Sequence, residues 1–136
     1  MIDQRTAPYA ALILRVSLGI LFLAHFSLKF FIFTPTGTAG FFSSLGLPGW
    51  LAYITMIIEF FGGIALILGI YTRVVSLVLI PILLGAIVKV HGPAGFFFTN
   101  PNGGWEFPMF WVIALISLAL MGDGKYALKP SATVKN

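Results

Sequence analysis

The sequence predicts an all-α membrane protein, a polytopic transmembrane four-helix bundle with a short interfacial or re-entrant helix between helices one and two. Three observations lead there. Of 136 residues, 59% are hydrophobic and only 9% charged, whereas a soluble domain is roughly a quarter charged; mean hydropathy is +1.02. The apolar residues gather in four long runs, about 9–33, 50–70, 74–91 and 106–121, on the scale of the ~20 residues a helix needs to cross ~30 Å of hydrocarbon. These runs and their connections take up nearly the whole chain, so residues 1–136 read as a single domain with a polar tail over 122–136.

In chain order, Met1 to Pro8 is a polar lead with Asp3 and Arg5. The first run is longer than the ~7–15 residue apolar core of a signal peptide and carries Arg15, His25 and Lys29, so it reads as a span. The alternative is a leader cleaved near the small residues Thr38-Ala39-Gly40. Between Pro35 and Pro48 the uncharged stretch Ala39 to Gly46 is too short to cross. It suits a brief helix with Thr38 as N-cap and Gly46 as C-cap. The second run has Trp50 and Tyr53 as interfacial anchors, a single charge at Glu59, and then Gly62-Gly63, small residues that let a neighbouring helix come close. Tyr71-Thr72-Arg73 is a tight turn. The third run is broken by Pro81 and Gly85 and finishes Lys89-Val90-His91. A Gly-, Asn- and Phe-rich loop over 92–105 follows, and Trp105-Glu106 leads into the fourth run.

Composition also excludes. With no cysteine the chain makes no disulfide and has no thiolate nucleophile, iron–sulfur ligand or Cys-ligated zinc. No metal ligand set is read from the sequence. Net charge is +4, but the basic residues are scattered, with no basic patch of interleaved aromatics, so nucleic acid is not a partner. The positive excess reads as topology. Arg5, Arg15, Arg73, Lys125, Lys129 and Lys135 fall on one side of the bundle and only Lys29 and Lys89 on the other, which places both termini in the cytoplasm.

With that topology Lys29, Lys89, His91 and Glu106 gather near the outer end of the bundle. His25 and Lys29 are four apart and share a helix face. Counted inward at about 1.5 Å per residue, His25 lies about 12 Å down from Phe33 and Glu59 about 13–14 Å from Trp50. The two are level. A lone carboxylate at such depth costs several kcal/mol, so Glu59 needs His25 or Lys29 as a partner or stays neutral. The expected site is a His25–Glu59 hydrogen bond beneath a layer of Lys29, Lys89, His91 and Glu106, with Phe22 beside it. A plainer reading is that paired buried charges only fix helix register, with Lys29 and Lys89 snorkelling to the interface. Arg15 is expected to snorkel or meet lipid phosphate, and Arg73 to act as a topology determinant.

An ordered set of motifs runs through the chain: Arg15-x-x-x-Gly19-x-x-Phe22-x-x-His25-x-x-x-Lys29, Gly46-Leu47-Pro48, Glu59-x-x-Gly62-Gly63-x-Ala65-Leu66-x-Leu68-Gly69, Thr72-Arg73, His91-Gly92-Pro93-x-Gly95-Phe96, Gly104-x-Glu106 and Gly122-x-Gly124. In this the chain resembles the DoxX family of small four-helix membrane proteins. Two positions depart from the family pattern. Phe26 stands where many relatives have Gly after the histidine, which narrows the space beside His25, and Asp123 stands where Pro is common.

The resemblance implies a multi-pass protein of the bacterial cytoplasmic (inner) membrane. It also implies quinone-linked redox chemistry or membership of a membrane redox complex, although most relatives have no assigned reaction. The chain has no flavin or dinucleotide loop and no covalent cofactor of its own, so a redox role needs a bound quinone or a partner. His25 and Glu59 are then the catalytic candidates: His25 hydrogen-bonding a carbonyl, Glu59 passing a proton. Phe22, Lys29, Lys89, His91 and Glu106 line the pocket. Alternatives from other classes are a non-catalytic accessory subunit of a larger complex, including a homo-oligomer, and a small proton-coupled transporter. A haem held by His25 and His91 is disfavoured, because the helical offset sets the two at different depths.

Overall fold

The structure is a computed structural model and describes residues 1–132; Lys135, one of the six basic residues expected on a common side, lies outside the described residues. Among the described residues five α-helices form: α1 Ala7–Ser27, α2 Pro35–Ser44, α3 Trp50–Leu68, α4 Thr72–Ala86 and α5 Glu106–Met121. Both α1 and α4 run on into one wider π-helical turn, Leu28–Ile32 and Ile87–His91 respectively. With these turns included, three helical stretches, Ala7–Ile32, Trp50–Leu68 and Thr72–His91, are long and apolar enough to cross a membrane. The fourth run is shorter. α5 has 16 residues and rises only about 24 Å at 1.5 Å per residue.

Local chemistry explains most of the ends. Pro8 stands in the first turn of α1 and Pro35 opens α2, where a missing N–H is harmless. α2 is capped by Thr34, not by the expected Thr38: the Thr34 hydroxyl accepts from Gly37 N–H at 3.1 Å. Thr34 has φ +65°, a strained value for a β-branched residue. It turns the chain sharply back after α1. Thr38 lies one turn inside, its hydroxyl 2.9 Å from the Thr34 carbonyl and 3.0 Å from that of Lys29. Gly46 takes the expected left-handed conformation after α2, with φ +76°. Pro81 does not break the third run; α4 continues through it.

α1 packs on α3, α3 on α4, α4 on α5, and α5 closes back on α1. Leu18, Phe22, Leu66, Leu79, Trp111, Leu115 and Leu118 form the shared core. The paired glycines act on two neighbours at once. A methyl group at Gly63 would come within 3.0 Å of the Gly19 carbonyl oxygen and press on Leu23, and one at Gly62 would strike Leu79. α3 is therefore held close to α1 on one side and to α4 on the other. Outward faces remain apolar, with Ile13, Ile20, Ile57, Phe61, Leu77 and Phe110 all exposed, far more apolar surface than a soluble monomer leaves in water. The chain is a membrane protein.

At the end away from α2, the polar tail folds back on the helices. Residues 128 and 129 hydrogen-bond to Leu68 and Gly69, and Tyr71 N–H donates to the Lys129 carbonyl at 2.9 Å. Two arginines tie this end together, and the first departs from expectation. Arg15 is only 1% exposed and reaches inward, not to a headgroup. Its guanidinium donates to the backbone carbonyls of Leu66, Ile67, Asp123 and Lys125. A planar fork with five donors suits such a cluster. Arg73 donates to the carbonyls of Ala119 and Leu120 at 2.8 and 3.2 Å, capping the negative end of α5.

Asp123 completes the clasp. It accepts from Thr72 N–H, from Ser131 N–H and from the Ser131 hydroxyl, at 2.9 to 3.1 Å. Burial pushes its carboxyl up, but the bonds from Ser131 and Thr72 outweigh that and hold it below its ordinary 3.8. A carboxyl whose folded pKa lies below the unfolded one adds stability above the unfolded value and loses it as pH falls through the folded value. Thermal midpoints measured against pH are therefore expected to show a gap between the native chain and Asp123→Ala that is constant from neutral pH down to about 3.8 and closes below it. A gap that widens on acidification would contradict the clasp.

Candidate functional site

The opposite end holds the residues expected to form the site. His25 and Lys29 lie one turn apart where α1 passes into its π-helical turn, and Lys89 and His91 lie on the π-helical turn that finishes α4. π-Helical turns are rare and concentrate at functional positions. Glu59 faces them from the middle of α3 and is buried.

Lys29, not His25, is the partner of Glu59. Lys29 Nζ donates to both carboxylate oxygens, at 2.8 and 3.0 Å. Its four-carbon stem lets it bend down one turn to the level of the acid, so it forms a buried ion pair where a snorkelling lysine was one of the expected outcomes. His25 turns instead to α5, its ring edge-on to Trp111 with centroids 5.0 Å apart. The expected His25–Glu59 bond does not form among the described residues, although both side chains face the same cavity.

That cavity has a volume of about 510 Å³, within the ~300–1,000 Å³ range of small-molecule sites. His25, Lys29, Glu59, Lys89 and His91 line it together with Trp111. Its remaining wall is mostly apolar: Phe41 and Phe42 of α2 with Leu45 just after it on one side, Ile54 and Ile58 of α3, beside the small polar Thr55, and Val78, Pro81 and Ile82 of α4 on the others. Ile54, Val78 and Pro81 belong to the wall and are also exposed. The cavity therefore opens sideways between α3 and α4, beyond the close Gly62–Leu79 contact.

His91 is oriented by a backbone partner. Its Nδ1 lies 2.9 Å from the Gly103 carbonyl, and because a carbonyl only accepts, Nδ1 carries the proton. In the neutral ring Nε2 is then a bare acceptor. Lys89 is exposed and has no carboxylate within 4.0 Å among the described residues.

Two expected pocket residues lie elsewhere. Glu106 turns to the loop, where its carboxylate accepts from Phe98 N–H at 3.0 Å, pinning residues 92–105 to the N-terminus of α5. An acid there is also favoured by the helix dipole. Phe22 is fully buried and packs on Trp111 with ring centroids 4.8 Å apart, so it supports the wall from behind. Phe26, expected to narrow the space beside His25, points away and stacks with Phe30 and Phe60. It lines a separate groove of about 290 Å³ with Tyr53, Met56, Ile57 and Phe61.

Trp111, Thr55 and the α2 phenylalanines complete the site and were not foreseen. Each is one apolar or small residue in an apolar run, and only the rotation of its helix singles it out. Among the described residues no three His, Cys, Asp or Glu side chains cluster to hold a metal ion. What the arrangement offers is a fixed ion pair, two imidazoles, a spare ammonium and a wide apolar wall.

Comparison with known proteins identifies the family. The sequence profile of the DoxX family matches residues 10–92. The chain is 39% identical over 127 residues to the Bacillus subtilis (strain 168) protein named "Putative oxidoreductase CatD", covering 93% of this chain and 90% of the other. It is 29% identical over 127 residues to an uncharacterized protein of Haemophilus influenzae, covering 92% of each. No solved structure matches the chain.

Proposed function

The chain belongs to the DoxX family of membrane proteins, and from that premise we propose that it is a quinone-associated redox protein, or the quinone-facing subunit of a redox complex, working at the cavity between α1, α3, α4 and α5. It is a single four-span domain of the bacterial inner membrane with both termini in the cytoplasm. α5 crosses where the bilayer thins locally, since a short span is met by thinning at modest cost. α2 lies at the outer interface as a roof over the cavity.

The observation that carries this reading is the pairing of a lateral opening with polar groups beneath it. A lipid-soluble ring and tail enter between α3 and α4 past Ile54 and Val78 without leaving the hydrocarbon. His25, His91, Lys29 and Glu59 then meet the polar end. A quinone when bound supplies the electron-accepting group that the side chains lack. The chain's part is to bind and orient it, to exclude water with Phe41, Phe42 and Trp111, and to handle protons. With Nδ1 held by the Gly103 carbonyl, His91 exchanges a proton at Nε2, and His25 supplies a second exchangeable site. Lys29 and Glu59 hold a shared proton beneath them.

Gentle extraction followed by solvent analysis of the purified protein is expected to give quinone near one per chain, falling several-fold in Ile82→Trp, which fills the cavity, and in His25→Ala. Native protein free of quinone under those conditions would remove the reading. A second reading has its own observation: the aromatic groove of Phe26, Phe60 and Phe61 is an outward-facing seat for a neighbouring helix, as an accessory subunit or a homo-oligomer would need. A stoichiometric partner that dissociates in Phe61→Ala supports it. A proton-coupled transporter is the remaining alternative, tested by solute or proton movement in liposomes.

A further inference from the structure

The charges that face the cavity do not balance. Two lysines, Lys29 and Lys89, meet one carboxylate, Glu59, while His25 and His91 add no negative charge in either protonation state. Both oxygens of Glu59 are already taken by Lys29. Glu106 begins the helix turn that carries the wall residue Phe107, but its carboxylate is directed to Phe98 N–H. No other acid lines the cavity among the described residues. Lys89 therefore stands at the rim as a cation without a counter-charge, above a wall that is otherwise apolar.

An ammonium beside apolar surface gains more from an anionic ligand than from a neutral one, because an ionised oxygen adds the Coulomb attraction of opposite charges, strengthened where water is sparse, to the hydrogen bond that a neutral carbonyl also accepts. A neutral quinone gives Lys89 only a carbonyl. We propose that the cavity selects an anionic amphiphile, a molecule with one ionised oxygen for Lys89 and an apolar ring or chain for the Phe41, Phe42 and Trp111 wall. In its ring form the inference deepens the quinone reading and rests on it: the occupant is then a hydroxylated quinone or related aromatic acid in its ionised form. The same headgroup chemistry belongs to a fatty acid or anionic lipid, and only the body of the molecule separates the two sources.

The test uses the full chain in nanodiscs of zwitterionic lipid, with Trp50→Phe and Trp105→Phe so that Trp111 in the cavity wall reports binding by its quenching. Three probes are titrated: lawsone, a hydroxynaphthoquinone ionised at neutral pH; menadione, its neutral methyl counterpart; and laurate carrying a chain bromine, an anion without a ring whose bromine quenches tryptophan. Lawsone is expected to bind about tenfold or more tighter than menadione, the scale of one partly desolvated ion pair. That preference should vanish in Lys89→Gln and survive in Lys89→Arg, which also shows that the rim folds normally. Laurate binding that depends on Lys89 while neither naphthoquinone binds supports the anionic site and assigns it to acyl chains, and the quinone reading then fails alone. Equal binding of lawsone and menadione, or a preference that Lys89→Gln leaves intact, overturns the anionic selection and leaves the quinone reading standing. Failure of all three probes overturns both.

Discussion

Replacing Arg15 with alanine is expected to give the largest loss of stability of any single substitution, about 3–5 kcal/mol, the scale of losing one partner of a buried charged network. Four backbone carbonyls converge on its guanidinium: Leu66 and Ile67 at the end of α3, and Asp123 and Lys125 in the tail. Alanine leaves them without their shared donor in a place that water reaches poorly, and it opens a void against Gly69, whose absent Cβ would lie 3.0 Å from Arg15 Cζ. Arg15→Lys should recover only part of the loss, because a single ammonium has three donors and no fork to span two segments. Thermal unfolding in detergent followed by circular dichroism measures the loss, and protease clipping of residues 122–132 shows whether the tail has come away. An Arg15→Ala midpoint within about 2 °C of the native chain, well below the shift of several degrees that 1 kcal/mol gives a domain of this size, would mean the network contributes nothing.

The ion pair between Lys29 and Glu59 is expected to show the opposite of additivity. Lys29→Met strands a carboxylate whose side chain is 4% exposed, and stranding one member of a buried pair costs about 3–5 kcal/mol. Glu59→Leu alone leaves the lysine, which is 20% exposed and can bend back toward the interface, so its cost is smaller. The double variant removes both charges and should be more stable than Lys29→Met. That sign of coupling follows from desolvation, since two charges taken out together leave nothing unpaired. A double-mutant cycle by thermal or denaturant unfolding measures it, and two losses that simply add would show that the side chains do not act as a pair. The same variants separate the two roles of the site. If the pair only fixes helix register, the double variant keeps its affinity for a cavity ligand; if Glu59 handles a proton, the fold survives and turnover does not.

Several features were legible along the chain because they depend on one helix at a time. Length and hydropathy mark the runs, and counting along each run is enough to expect Glu59 and His25 near one another; both line the same cavity. Gly62-Gly63 announced a close neighbour, and two are there, through Gly19 on one side and Leu79 on the other. The gathering of His25, Lys29, Lys89 and His91 at one end followed from the direction of each run. Other features depend on how helices rotate against one another. Arg15 faces inward because α1 turns that side toward the end of α3, and the tail closes over it. Nothing within 9–33 distinguishes that from a snorkelling arginine. Asp123 appeared only as a departure from a glycine motif, and its partners Thr72 and Ser131 are brought to it by the folded tail.

By itself the sequence determined the membrane class, the helical runs and the set of titratable groups placed at one end, because hydrophobic length and helical rise are properties of a segment. Only the tertiary structure decided that Lys29 holds Glu59, that His25 lies against Trp111 and that Glu106 leaves the cavity for the Phe98 amide. Those choices rest on side-chain reach and on the rotation of each helix about its axis, which packing between segments fixes.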